Sequence, residues 1–186
     1  NSFGSVVIAG NTAASNLENF VYTALNTFQQ TSLTFTSQNY GAGKYKRIGN
    51  IAVICVCLVI VTGLTLGMAG YGFGQSLLKL YSNDSEIISV GLIRLKYVCR
   101  FYFLCGLMDL FVGLLRGLEY SVLPMIVSLI GACGLRLVWI YTIFKWAGTL
   151  ESLYISYPIS WAITVGVHIL CFVFVYKGLL KKIKTA

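Results

Sequence analysis

The sequence predicts an all-α membrane protein, a bundle of about five transmembrane helices. Of its 186 residues, 57% are hydrophobic and only 11% are charged, and the mean hydropathy is +0.78. A soluble domain carries about 25% charged residues, so this composition is typical of a polytopic membrane protein. Five apolar stretches each exceed the roughly 20 residues that a helix needs to cross the hydrocarbon core. We place them at Asn11–Ser37, Ile48–Phe73, Ile87–Leu115, Ser121–Phe144 and Leu153–Tyr176.

The basic residues predict the orientation of these spans. Cations concentrate in the connection after the first span and in the tail, at Lys44, Lys46, Arg47, Lys177, Lys181, Lys182 and Lys184. Cytoplasmic segments of membrane proteins are enriched in such residues. An odd number of spans then puts the C-terminus in the cytoplasm and Asn1 outside. Because residues 1–10 carry no charge and no signal-like pattern, we expect the chain to be the back portion of a larger multi-pass protein of the cell membrane.

Several functional classes are disfavoured by the same composition. The net charge of +8 could indicate nucleic-acid binding, but the cations cluster as the positive-inside rule requires, so we expect no nucleic-acid partner. All six cysteines lie inside apolar spans without metal-ligand spacing, so we expect neither a metal nor a cofactor. The spans contain no paired acids and no Ser/His arrangement, which disfavours an intramembrane enzyme.

The first span differs from the others because it carries a polar stripe. Its members recur at steps of three or four residues, which places them on one helix face: Ser15, Asn19, Tyr22, Asn26, Gln29 and Gln30. Amides facing lipid are costly. We therefore expect this face to line a water-filled cavity or to form hydrogen bonds between helices. A helix lying on the membrane surface is a further alternative, although a basic polar face is absent.

Asp109, on the third span, is the main candidate for a functional acid. It is surrounded by apolar residues and lies about two turns before Arg116 and the cytoplasmic end. An intramembrane acid indicates a functional site by default, because it can exchange a proton or hold a cation. The alternatives are a structural hydrogen bond and a salt bridge to a cation elsewhere.

The other intramembrane charges lie nearer the outer surface. Arg94 and Arg100, early in the third span, are expected to extend outward into water. Arg136 and Arg100 lie at similar depths on their spans, and Glu18 on the first span is near that depth. We therefore predict that Glu18 pairs with Arg136 or Arg100.

Two segments of the chain carry recognisable motifs. Ser37-Gln38-Asn39-Tyr40-Gly41-Ala42-Gly43-Lys44 is similar to the G-Q-N-x-G-A-G-x element of the MATE (multidrug and toxic compound extrusion) family. Leu114-Leu115-Arg116-Gly117, followed by Pro124, resembles its L-R-G-x-G…P element, and Arg136 with Trp139 matches the continuation. The resemblance covers essentially residues 1–186 and corresponds to spans eight to twelve, in the C-terminal lobe of a twelve-helix, two-lobe transporter. Glu119 stands where the family often has glycine.

The resemblance implies export of cationic or amphiphilic compounds in exchange for inward H⁺ or Na⁺, by alternating access. It also implies that the lobe works with an N-terminal lobe of the same transporter, within the lipid bilayer. An acid on the span of Asp109 belongs to the cation site in relatives. The motif places that acid nearer Cys105, about one turn from Asp109, and Asp109 is the candidate carried over. The alternatives are a lipid-linked oligosaccharide flippase of the same superfamily and an inactive lobe that acts at most as a structural subunit.

Overall fold

The computed structural model describes residues 4–185, with side chains described for residues 4–181. Asn1 and the side chains of Lys182 and Lys184, which were used to predict the orientation, lie outside these ranges. The described chain is helical, and α3 and α6 to α8 are short: α1 (Ser5–Gly41), α2 (Tyr45–Gly72), α3 (Gly74–Leu78), α4 (Ser85–Val98), α5 (Tyr102–Gly117), α6 (Val122–Ser128), α7 (Leu135–Trp139), α8 (Lys145–Ala147) and α9 (Leu150–Thr185).

The predicted all-α bundle is confirmed, with one difference in the number of apolar spans. Among the described residues, four helices are long and apolar enough to cross a membrane: Tyr45–Gly72, Ser85–Gly117, Val122–Ala147 and Leu150–Lys181. The remaining predicted span is the first one along the chain, α1, whose 37 residues are long enough to cross a membrane. Its polar stripe lowers its hydropathy below that of the other four. The sequence therefore predicted this helix correctly, but its hydropathy is too low for α1 to count as a membrane span by composition alone.

The third span is interrupted halfway along its length. Helices α4 and α5 are joined by a tight 3₁₀ turn, Cys99–Phe101. The turn lies against α2, where a Cβ on Gly67 would come within 2.2 Å of the Cys99 carbonyl oxygen and one on Gly63 within 2.7 Å of the Phe103 backbone. These two glycines therefore let the interrupted helix approach α2. The interruption divides the span into a half that carries Arg94 and a half that carries Asp109.

Small residues also bring α5 close to α1. A Cβ on Gly113 would lie 2.5 Å from the carbonyl oxygen of Gln29, and one on Gly117 would lie 2.6 Å from the Cβ of Thr36. Close helix contacts in membranes commonly depend on such residues. Because of this contact, the polar stripe of α1 lies beside the face of α5 that carries Asp109.

The fourth span, Val122–Ala147, is the least covered of the four apolar spans. Only 6% of its most apolar stretch is buried, compared with 61% for the third span. Two π-helical segments, Leu129–Gly134 and Ile140–Phe144, flank the α-helical turn α7. This span rests mainly on α9, where Trp139 Nε1 donates a hydrogen bond of 2.9 Å to the Ser152 carbonyl oxygen.

Candidate functional site

Glu18 forms a buried ion pair, but its partner is Arg94. Arg94 Nε lies 2.8 Å from Glu18 Oε1 and Arg94 Nη2 lies 2.7 Å from Oε2, so the pair is bidentate. Glu18 is 4% exposed and Arg94 is 8% exposed. The predicted pairing of Glu18 with Arg136 or Arg100 is therefore wrong. Arg94 was expected to extend into water, and instead it points into the interface between α1 and α4.

The register of α1 and α4 explains this pairing. A Cβ on Gly10 would come within 2.6 Å of the Ile87 carbonyl oxygen, and a Cβ on Gly91 would lie 3.3 Å from the Gly10 carbonyl oxygen. The two backbones therefore touch about two turns from Glu18 and one turn from Arg94. Counting residues from the ends of separate spans could not reveal this contact. The relative depth of Glu18 and Arg94 depends on how α1 and α4 pack against each other.

Two further polar groups and two aromatic rings complete the cluster around Arg94. Asn11 Oδ1 accepts a hydrogen bond from Arg94 Nη1, and the Tyr154 hydroxyl donates to the same oxygen at 3.3 Å. The guanidinium carbon of Arg94 lies 6.0 Å from the centre of the Tyr154 ring and 5.7 Å from that of Tyr157. The cluster therefore joins α1, α4 and α9, and neither Asn11 nor Tyr154 was identified from the sequence.

The two arginines proposed as partners of Glu18 lie elsewhere. Arg136 donates from Nε to Ser160 Oγ at 3.0 Å and lies 4.1 Å from the centre of the Tyr157 ring. Arg100 is exposed and stacks on Tyr71, at 5.1 Å from the ring centre. Arg136 thus shares the Tyr157 ring with Arg94 but has no carboxylate of its own among the described residues.

The structure brings Asp109 to the polar stripe of α1. Tyr22, on the stripe, is a near neighbour of the Asp109 carboxyl group. Within the described side chains, Asp109 has no salt bridge, whereas Glu18 has one. Asp109 and the polar stripe, identified independently from the sequence, are therefore neighbours. Of the two membrane-embedded acids Glu18 and Asp109, Asp109 has no salt bridge within the described side chains.

The polar stripe continues from Tyr22 as a chain of side-chain hydrogen bonds. Asn26 Nδ2 lies 3.3 Å from the Tyr22 hydroxyl and 3.0 Å from Gln29 Oε1. Tyr22, Asn19 and Gln30 are exposed on the bundle, and Asn26 and Gln29 are partly exposed. The stripe is therefore an open polar surface of this chain, and the predicted cavity wall remains a prediction.

The first family-like segment ends α1 in a left-handed turn. Lys44 N donates to the Asn39 carbonyl oxygen at 2.8 Å and Gly43 N to the Tyr40 carbonyl oxygen at 3.1 Å. This pattern is a Schellman motif, which requires the left-handed φ of +70° that Gly43 adopts. Gln38 accepts from Ala42 N at 3.0 Å through its carbonyl oxygen. Nothing in the structure explains a glycine at position 41.

The second segment ends α5 with the same pattern. Tyr120 N donates to the Leu115 carbonyl oxygen at 3.0 Å and Glu119 N to the Arg116 carbonyl oxygen at 3.0 Å. Glu119 occupies the left-handed position, with φ of 71°. Glycine, which the resemblance associates with this position, would adopt that φ without strain. Gly117 is a packing residue against Thr36, and the Arg116 side chain is exposed.

Comparisons with known proteins identify a family through one family model and a similar fold through a solved structure. The MatE family model matches residues 1–142, about three quarters of the chain. The crystal structure of the Vibrio cholerae MATE transporter VcmN in its bent form matches with a TM-score of 0.86 at 19% identity. That match covers 96% of this chain but only 40% of the solved transporter. No curated protein matches the chain.

Proposed function

Because this chain belongs to the MatE family of membrane transporters, we propose that it exports cationic or amphiphilic compounds in exchange for inward H⁺ or Na⁺. The family consists of transporters and not of enzymes, and the apolar helices make the chain part of a multi-pass membrane protein. In this proposal the chain is the C-terminal lobe, and export proceeds by alternating access with an N-terminal lobe. The lobe lies in the cell membrane with its C-terminus in the cytoplasm.

The observation that carries the proposal is the position of Asp109. This acid is partly buried and lacks a salt bridge among the described side chains. Its neighbour is Tyr22, on the open polar stripe of α1. A carboxylate in a low-dielectric site attracts a proton, a metal cation or an organic cation strongly. These three compete for one site, so occupation by the coupling ion displaces the substrate cation.

Exchange of Asp109 for asparagine tests this mechanism in the full-length transporter. In proteoliposomes with an imposed H⁺ or Na⁺ gradient, we expect D109N to lose gradient-driven accumulation of the lipophilic cation tetraphenylphosphonium. Insertion into the membrane should be unchanged, because asparagine keeps the size and the hydrogen-bonding capacity of the side chain.

Asp84 provides a matched control for this substitution. Its side chain is exposed and accepts a hydrogen bond from Glu86 N at 2.8 Å, at the start of α4. Asparagine caps helices as well as aspartate does, so D84N should transport like the wild type. Normal gradient-driven transport by D109N would overturn the proposed role. A dependence of the wild-type rate on only one of the two gradients identifies the coupling ion.

A further inference from the structure

The cluster around Arg94, taken together with Arg136 on the shared Tyr157 ring, contains more positive than negative charge. Two guanidinium groups, Arg94 and Arg136, lie within 6 Å of the centre of the Tyr157 ring, at 5.7 and 4.1 Å. Glu18 is the carboxylate of this cluster, and both of its oxygens are bound by Arg94. Arg136 is therefore left without a counter-charge among the residues that the structure describes. An unpaired charge inside a membrane protein is costly and indicates a function.

The guanidinium of Arg136 is held in a fixed orientation. Its Nε donates to Ser160 Oγ at 3.0 Å, and Ser160, which is 2% exposed, donates in turn to the Tyr157 carbonyl oxygen at 2.9 Å. The Tyr157 and Trp161 ring centres lie 4.1 and 5.5 Å from the guanidinium carbon. Such contacts fix a planar cation before any ligand arrives, which lowers the entropy lost on binding.

The donors that remain on Arg136 are suited to an anion. A guanidinium has five N–H groups, of which the one on Nε is used by Ser160. The four on the two terminal nitrogens have no hydrogen-bond acceptor in the described part of the chain. This fork matches the two oxygens of a carboxylate in a bidentate arrangement.

Arg136 is also reachable from outside the bundle. It is partly exposed and lies on α7, the turn between the two π-helical segments of the poorly covered fourth span. π-Helical segments occur frequently at functional sites, where they change the direction of side chains. Arg136 is therefore both oriented by the protein and open to a ligand.

We propose that Arg136, Ser160, Tyr157 and Trp161 form an anion subsite that binds the carboxylate of a ring-bearing ligand. The guanidinium binds the carboxylate, and Ser160 and the buried Trp161 ring orient the guanidinium. The partly exposed Tyr157 ring contacts the planar part of the ligand. The subsite extends the chemistry of the transporter beyond cations. It does not rest on the coupling role of Asp109, because its test measures binding and not transport.

The experiment compares benzoate with benzamide, which has the same ring but no charge. Binding to the full-length transporter in phosphatidylcholine nanodiscs is measured by titration calorimetry. We expect benzoate to bind about tenfold or more tightly than benzamide, because hydrogen bonds to charged groups are the stronger class. R136Q should bind the two compounds equally. R100Q is the matched control, since Arg100 also stacks on a tyrosine but is exposed, and it should keep the preference.

A second variant covers the case in which R136Q does not fold. S160A leaves the charge of Arg136 in place and removes only the group that orients it, so the benzoate preference should fall several-fold. Equal binding of benzoate and benzamide by the wild type would overturn the proposal, and so would an unchanged preference in R136Q or, failing that, in S160A. Loss of benzoate binding on changing the nanodisc lipid from zwitterionic phosphatidylcholine to anionic phosphatidylglycerol would also overturn it, because the ligand of the subsite would then be an anionic lipid.

Discussion

Glu18 and Asp109 are both acids on membrane-embedded helices, yet the structure surrounds them differently. Glu18 is 4% exposed and bound through both oxygens by Arg94, with Asn11 and Tyr154 completing the cluster. Asp109 is partly exposed and has Tyr22 as its neighbour. The first acid joins three helices, and the second has no salt bridge among the described side chains, which suits the ion or ligand site that we propose. The surroundings of an intramembrane acid, more than its depth, indicate what it does.

The largest effect is expected from E18Q, which leaves the Arg94 guanidinium buried without its counter-charge. Breaking one side of a buried ion pair destabilises a protein by about 3–5 kcal/mol. We expect a marked fall in the thermal unfolding midpoint of the purified transporter. The charge reversal E18R/R94E should recover part of the loss. Equal stability of E18Q and the wild type would show that the pair contributes little to folding.

A smaller loss is expected from G113A, which separates α1 from α5. The added methyl group would lie 2.5 Å from the Gln29 carbonyl oxygen, and overpacking of this kind costs roughly 1–3 kcal/mol. G166A is the control, because a Cβ there has no neighbour within 4 Å. Because G113A moves Tyr22 away from Asp109, gradient-driven transport should fall as well. Transport that is normal in a destabilised G113A variant would argue against a role for the Tyr22 neighbour.

A gain of stability is expected from E119G at the end of the helix that carries Asp109. The left-handed φ of 71° at Glu119 costs about 1–2 kcal/mol for a residue other than glycine, and part of this is offset by the flexibility of glycine in the unfolded chain. The net gain should be about 1 kcal/mol or less. G43A, at the equivalent turn after α1, should shift the unfolding midpoint in the opposite direction. Shifts of the same sign in both variants would contradict the strain at Glu119.

The smallest change in stability is expected from D109N, the chemical counterpart of E18Q. Because no cation among the described side chains pairs with Asp109, asparagine leaves no buried charge behind, and the unfolding midpoint should move by the equivalent of about 0.5 kcal/mol or less. The comparison is made in one buffer with both variants in parallel. A destabilisation by D109N as large as that of E18Q would assign Asp109 a structural role.

The all-α bundle could be predicted from the sequence because it depends on hydrophobic length and periodicity. The helix limits could not be predicted closely: α1 begins at Ser5 and α9 continues to Thr185, and the third span is interrupted at Cys99–Phe101. The partner of Glu18 could not, since it depends on a contact between Gly10 and α4 that periodicity does not encode. Asp109 and the polar stripe were identified separately, but their proximity depends on Gly113. The left-handed position of Glu119 was visible only as a departure from the family pattern, and the structure supplies its physical reason.

The ion pair between Glu18 and Arg94 also has a consequence for synthesis. The two residues are 76 positions apart in the chain. At a translation rate of about 5–20 residues per second, Glu18 leaves the ribosome roughly 4–15 s before its partner. During that time α1 carries an uncompensated acid and too little apolar surface to remain in lipid alone. We therefore expect α1 to stay near the translocon beside α2, the most apolar helix, until Arg94 arrives.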